Sequence, residues 1–311
     1  MLDDLVRHQS GVATRRQLLE CGLTEEQIRA NIAARRWTKL LPGVYATFSG
    51  PPSRAAQIWA AVLRAGSGAV ASHQTAAELI GLVDQPGTPI HVTVPHSRTP
   101  NRIRGVRLHR STRVNAARHP TRTPPQTRVE ETVVDLTQSA RCLDDAIGWL
   151  ARAVGSRLTT PARLDVALRD RPRLRWRAAL TEAVADVAAG CHSHLELAYL
   201  RNVERAHGLP VGERQARRPR VGGHTYDDVL YRAYQKRVEI DGTQAHPVHE
   251  RGRDRRADNR AVRAGDHPMR YGPGDVYDTP CAVAAEVAAV LQAAGWDGRP
   301  RRCRRTDCHV P

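Results

Sequence analysis

The sequence predicts a mixed α/β protein of the α+β kind, assembled from modules rather than from one continuous layer. Three observations carry that expectation. Two short capped helices precede a strand near the N-terminus, residues 226–241 alternate with period two, and Ala- and Leu-rich helical stretches lie between them. The 311 residues suffice for two domains of ordinary size or three small ones.

Charge sets the first expectation about partners. The formal net charge is +16 and the pI about 10.6. Lys39 and Lys236 are the only lysines, so arginine carries nearly all of the positive charge. A GC-rich coding bias writes arginine and alanine too, but that alone need not unbalance base against acid. The excess favours a polyanion, with nucleic acid first. Six scattered cysteines give no dense disulfide framework. Asp3 and Asp4 open the chain without an apolar leader, and no run of about eighteen apolar residues occurs. The expectation is a soluble, cytoplasmic, nucleoid-associated protein without a membrane partner.

Residues 1–48 read as the first module. Thr14 is placed to cap a helix through Glu20, which Gly22 ends. Thr24-Glu25-Glu26-Gln27 is a capping box that opens a second helix, with Ile28 and Ile32 on its buried side. The second helix is expected to carry Arg29, Asn31, Arg35 and Arg36 as DNA contacts. With Trp37 and a strand at Gly43-Val44-Tyr45-Ala46 the pattern is a winged helix. A small helical subdomain with a solvated basic face is the plainer alternative.

Pro51-Pro52 breaks the chain before a middle α/β module, residues 52–185. A helix is expected from Ala55 to Ala65 and another capped by Ser72. Ile90–Val94 and Val106–His109 alternate as strands, joined by a basic loop. His73, His91, His96 and His109 lack metal-ligand spacing and read as packing or surface residues. Helical patterns follow over 129–155 and from Thr160 to Ala189, with Arg171–Arg175 as a loop.

Residues 190–298 form the third module, and 299–311 a basic tail. Ser193 caps a helix whose apolar stripe is Leu195, Tyr199, Val203 and Ala206, with Glu196 at its border. Next comes a hairpin: Tyr226–Tyr231 and Lys236–Asp241 flank Arg232-Ala233-Tyr234-Gln235. If Tyr231 pairs with Lys236, Asp228 stands opposite Glu239, and Glu239 shares a face with Asp241. Opposed like charges destabilise a ladder, so a cation is a natural reason to keep them. The plainer alternative makes these acids a solvent face paired with nearby arginines. A strand near Met269 and a helix from about Ala282 to Ala294 complete the module.

Ser193-His194-Leu195-Glu196, Asp228-Val229-Leu230-Tyr231, Val238-Glu239-Ile240-Asp241-Gly242, His246-Pro247 and Asp258-Asn259, in that order, resemble the very-short-patch-repair (Vsr)-like endonuclease domain. That domain belongs to the PD-(D/E)xK, restriction-endonuclease-like superfamily. Residues 11–47 resemble the winged-helix domain of AbiEi-type antitoxins. The resemblance implies a Mg²⁺- or Mn²⁺-dependent DNA endonuclease. Asp228 and Glu239 would be metal ligands, Glu196 the supporting helix acid, His246 an acid or phosphate contact, and Arg255 and Arg256 a backbone clamp. The superfamily's lysine is Asp241 here, and Ala257 and Gly272-Pro273 also depart from the pattern. The alternative is therefore a non-catalytic DNA-binding regulator, type IV antitoxin-like, with a silenced nuclease fold and a toxin partner; RNA is a further alternative substrate. Cys281, Cys303, Cys308 and His309 form a weaker candidate zinc set, because they lack CxxC spacing and Cys308 and His309 are adjacent.

Overall fold

The computed structural model describes residues 2–191, 193–220, 223–241 and 268–310. The chain divides into two compact units, Met1–Arg177 and Ala178–Pro311, and its fold is mixed α/β. Among the described residues, no helix is long and apolar enough to cross a membrane.

The first unit begins with a helix that sequence patterning missed, α1 (Leu2–His8). Strand β1 (Val12–Thr14) leads into α2 (Arg15–Glu20), and α3 (Glu25–Ala33) follows. Both capping boxes form. Thr14 Oγ1 accepts from Gln17 N at 3.1 Å, and Thr24 Oγ1 accepts from Gln27 N at 3.2 Å. Each glutamine returns its side-chain oxygen to the cap backbone, at 2.9 and 2.8 Å. Strands β2 (Thr38–Leu41) and β3 (Val44–Ala46) turn back to complete an antiparallel sheet of order β1-β3-β2.

A break at Pro51-Pro52 does not separate the cores as expected. Helix α4 (Arg54–Ala65) buries Ala56, Trp59 and Ala60 against Val12 and Val44, while its Ile58, Ala61 and Val62 meet the next sheet. That sheet has the order β4-β5-β6, from Val70–Ala71, Ile90–Pro95 and Val106–Ser111, with β5 and β6 parallel. Helix α5 (His73–Leu79) lies between β4 and β5, and a short α6 (Val114–Ala117) follows β6. The stretch 129–155 is two helices, α7 (Val129–Ser139) and α8 (Leu143–Gly155), before α9 (Pro161–Arg169).

Helix α10 (Arg177–Ala188) leads into the second unit. Ser193 caps α11 (His194–Tyr199), which continues as a π-helical turn, Leu200–Arg205. Strand β7 (Glu213–Arg220), which sequence patterning also missed because its arginines hide the alternation, forms the sheet edge. It pairs antiparallel with β8 (Gly223–Tyr231), β8 pairs antiparallel with β9 (Lys236–Ile240), and β10 (Met269–Tyr271) lies parallel to β9. The expected Tyr231–Lys236 pair is present. The ladder stops at Val229–Val238, however, so Asp228 and Glu239 are not a ladder pair. Helices α12 (Pro273–Tyr277) and α13 (Pro280–Ala293) follow. The tail is not a separate segment: Cys308 and Val310 join the core formed by Tyr199, Val229, Val238 and Val287.

A buried ionic network fastens helix to sheet in this unit. Glu204, 2 % exposed, accepts from Arg214 and, at 2.7 Å, from the Tyr231 hydroxyl. Tyr231 in turn lies 3.0 Å from the Tyr199 hydroxyl. Burial raises the Glu204 pKa, and Arg214 opposes that shift by stabilising the charged form. Gly212 makes the close approach possible, since a Cβ there would lie 2.3 Å from Val229 Cγ1. Glu204→Ala leaves Arg214 buried without its acid, and the expected loss is about 3–5 kcal/mol. Chemical denaturation followed at Trp296 measures it, and an unchanged midpoint would show that the network does not hold this unit together.

Candidate functional site

The second unit brings together three acids singled out from the sequence. Glu196 is held by its helix start, where Ser193 Oγ accepts from Glu196 N at 3.0 Å. The link to Asp228 is Gln215, whose Nε2 donates to Asp228 Oδ1 at 3.2 Å and to Glu196 Oε2 at 3.4 Å. Gln215 has φ 49°, a left-handed backbone that interrupts the β7 alternation, and nothing in the sequence marked it. On its other side Asp228 Oδ2 accepts from Ile240 N at 2.8 Å, which ties β8 to β9 just past the ladder's end. Burial raises the Asp228 pKa, the Ile240 N–H opposes this, and the charges of Glu196 and Glu239 add to the rise.

Glu239 is half-buried and answered by a cation. Arg270 is its register partner on the parallel strand β10, with Nε 2.8 Å from Glu239 Oε2; Arg237 approaches at 3.9 Å. Asp241 is exposed at the strand end, where its backbone N–H donates to Tyr271 O at 3.0 Å. Arg270 is the cation that sequence reading did not identify, because only strand pairing brings it to Glu239. His246, Arg255, Arg256, Asp258 and Asn259 lie outside the described residues.

In the first unit, Arg29 is exposed on α3. Asn31 is tied locally: its Nδ2 donates to Gln27 O and its Oδ1 accepts from Arg36 Nε, both at 2.9 Å. Arg35 and Arg36 do not lie on the helix as expected. Helix α3 ends at Ala33, Arg35 turns left-handed at φ 56°, and Arg36 N and Trp37 N both donate to Asn31 O. Both arginines are exposed in the turn that leads to β2.

Among the described residues, two tighter groups of metal-type donors occur, each with donor atoms within 4.8 Å of one another; the acidic trio is not drawn together to that degree. One is Cys281, Cys303, Cys308 and His207. The imidazole is thus His207 from the helix end rather than His309, which is exposed. The other is His73, His91 and His109, which the sequence reading had left as separate packing residues. His91 Nδ1 lies 3.1 Å from His109 Nε2, and the His73 and His109 rings stack at 3.8 Å. The parallel register sets His91 against Arg107 and His109 against Thr93, so the two histidines meet diagonally across the strand pair, and His73 joins them from α5; spacing along the chain shows none of this.

Compared with known proteins, the chain matches no family model and no curated protein.

The histidine group makes the first unit sensitive to acid. Burial, then the neighbouring His109 and His91 and the Arg171 and Arg107 charges, lowers the His73 pKa to about 3. Burial, His91 and Arg107 lower His109 to about 4, and His91 is lowered as well. An unfolded histidine titrates near 6.5. The folded state therefore excludes protons that the unfolded chain binds, and stability present above about pH 6.5 is lost as pH falls toward 4. Denaturation midpoints read from Trp37, Trp59, Trp149 and Trp176 should fall over that range. His73→Asn, which tolerates the φ of 50° at this position, should flatten the slope. An equal slope in the variant would remove His73 from the account.

Proposed function

We propose that the chain is a DNA-binding protein whose second unit hydrolyses phosphodiester bonds with a divalent metal ion. The carrying observation is the bridge that Gln215 makes between Glu196 on the helix and Asp228 on β8, with the charge of Glu239 on the adjacent strand felt at Asp228. The order of helix, three antiparallel strands, a parallel strand and a closing helix supports a PD-(D/E)xK-type fold. The helix pair, turn and following β-hairpin of the first unit support a winged helix that docks on duplex DNA.

The donor set fits Mg²⁺ or Mn²⁺. Asp228 and Glu239 offer hard oxygen ligands; burial raises the Asp228 pKa and the charges of Glu196 and Glu239 add to the rise, which a bound cation would offset. Bound there, the ion would polarise the phosphoryl oxygen and offset negative charge in the transition state. Gln215 fixes the Asp228 carboxylate from one side and the Ile240 N–H from the other, so the ligand is held before substrate arrives. Glu196 adds negative charge beside it. Arg29 on α3, Arg35 and Arg36 in the turn after it and Lys39 on β2 are exposed cations available for phosphate contact.

Two observations favour a second reading. Arg270 already neutralises Glu239, and Asp241 stands where the superfamily places lysine. In that reading the fold grips DNA without cutting it, as a regulator or antitoxin-like protein with a toxin partner.

Purified protein incubated with supercoiled and mismatched duplex DNA in Mg²⁺ or Mn²⁺, with EDTA as control, separates the two. Metal-dependent nicking that drops on the order of 100-fold or more in Asp228→Asn and Glu239→Gln, with binding retained, is expected. Salt-sensitive binding without nicking would select the regulator. For the first unit, Arg29→Ala should weaken binding on all sequences and lower the salt slope by about one; an unchanged slope would remove Arg29 from the interface.

A further inference from the structure

Four side chains from three stretches of the sequence meet beneath the last helix of the second unit. Cys281 opens α13, Cys303 and Cys308 come from the tail, and His207 follows the π-helical turn. His207, Cys281 and Cys308 are buried, and Cys303 is half-buried. We propose that these four residues bind one structural zinc ion, which fastens the C-terminal tail to the body of the unit. The proposal does not depend on the phosphodiesterase reading.

Spacing between the donors is the first argument. Cys281 Sγ and Cys303 Sγ are 3.6 Å apart, and Cys308 Sγ lies 3.8 Å from His207 Nε2. A tetrahedral zinc with Zn–S bonds of about 2.3 Å has S···S edges of about 3.8 Å, so these separations are those of a ligand shell. The second argument is the orientation of the imidazole. His207 Nδ1 lies 3.0 Å from Val203 O, and a carbonyl only accepts, so Nδ1 carries the proton. Nε2 then turns its lone pair toward the sulfurs, as a metal-ligating histidine does when its other nitrogen is held by a carbonyl. A third contact supports a thiolate: Arg305 N–H approaches Cys303 Sγ at 3.5 Å.

Three thiolates and one imidazole make a closed set with no position left for water or substrate, which marks a structural rather than a catalytic site. The surroundings agree. Arg301 N donates to His207 O at 2.8 Å, and its guanidinium donates to Arg205 O at 3.0 Å, so the tail is laid along the helix end that carries His207. Cys308 and Val310 then enter the core.

The test is elemental analysis of the full-length protein purified without chelator, together with Co²⁺ substitution. About one zinc per chain is expected at this site, and it should be lost in Cys303→Ser and His207→Phe and kept in His309→Ala. The cobalt protein should show thiolate-to-metal charge transfer in the near ultraviolet and intense tetrahedral d–d bands. The histidine group of the first unit has no sulfur, so that charge-transfer band reads the second unit alone. It does not require the serine variant to fold. Three results would each overturn the proposal: a Cys281–Cys303 disulfide found by mass, free thiols that take up neither metal, or cobalt bound without the thiolate band.

Discussion

A single buried carboxylate organises the second unit. Glu204 is buried and accepts from Arg214 on β7 and Tyr231 on β8, while Tyr199 extends the network along the helix. Leaving any member unpaired is costly in a low-dielectric interior, so helix and strands are locked in one register. The candidate site is built on its immediate neighbours. Gln215 follows Arg214, Asp228 lies three residues before Tyr231 on β8, and Glu196 lies about two helical turns before Glu204. The geometry that joins Gln215 to both acids is therefore set by a network that does not itself touch the site.

The same principle governs how a basic chain disposes of its acids. Glu130, Glu131, Asp186, Glu196, Glu204 and Asp227 are all buried, and the side chains of Arg214 and Arg237 are buried with them. Arginines reach inward to answer them: Arg163 to Glu130, Arg171 to Glu131, Arg205 to Asp186 and Arg237 to Asp227. Acids drawn inward leave the outer surface more cationic than the composition alone conveys. That disposition suits a polyanionic partner and makes Asp228 and Glu239 unusual as less-buried acids kept close to one another.

Two clusters answer a similar problem of buried nitrogen and sulfur in different ways. His73, His91 and His109 stack beside arginines, and burial keeps them neutral. Cys281, Cys303 and Cys308 have a histidine whose tautomer is fixed by Val203. The first arrangement excludes protons, while the second presents lone pairs to one point.

The sequence by itself determined the local signals. Thr14, Thr24 and Ser193 sit at their helix starts because capping depends on residues three apart, and Tyr231 pairs with Lys236 because a four-residue loop sets the register. Alternation also marked Asp228 and Glu239, and helical spacing placed Glu196 at the edge of a buried face. Only the tertiary structure decided what those residues meet. Arg270 reaches Glu239 through a parallel strand pair, Gln215 reaches two acids through a left-handed residue in a strand without apolar alternation, and His207 replaces His309 beside the cysteines. Each joins residues distant in the chain. Capping and alternation are short-range and leave a periodic trace, whereas such contacts depend on how whole elements pack, which no local period encodes.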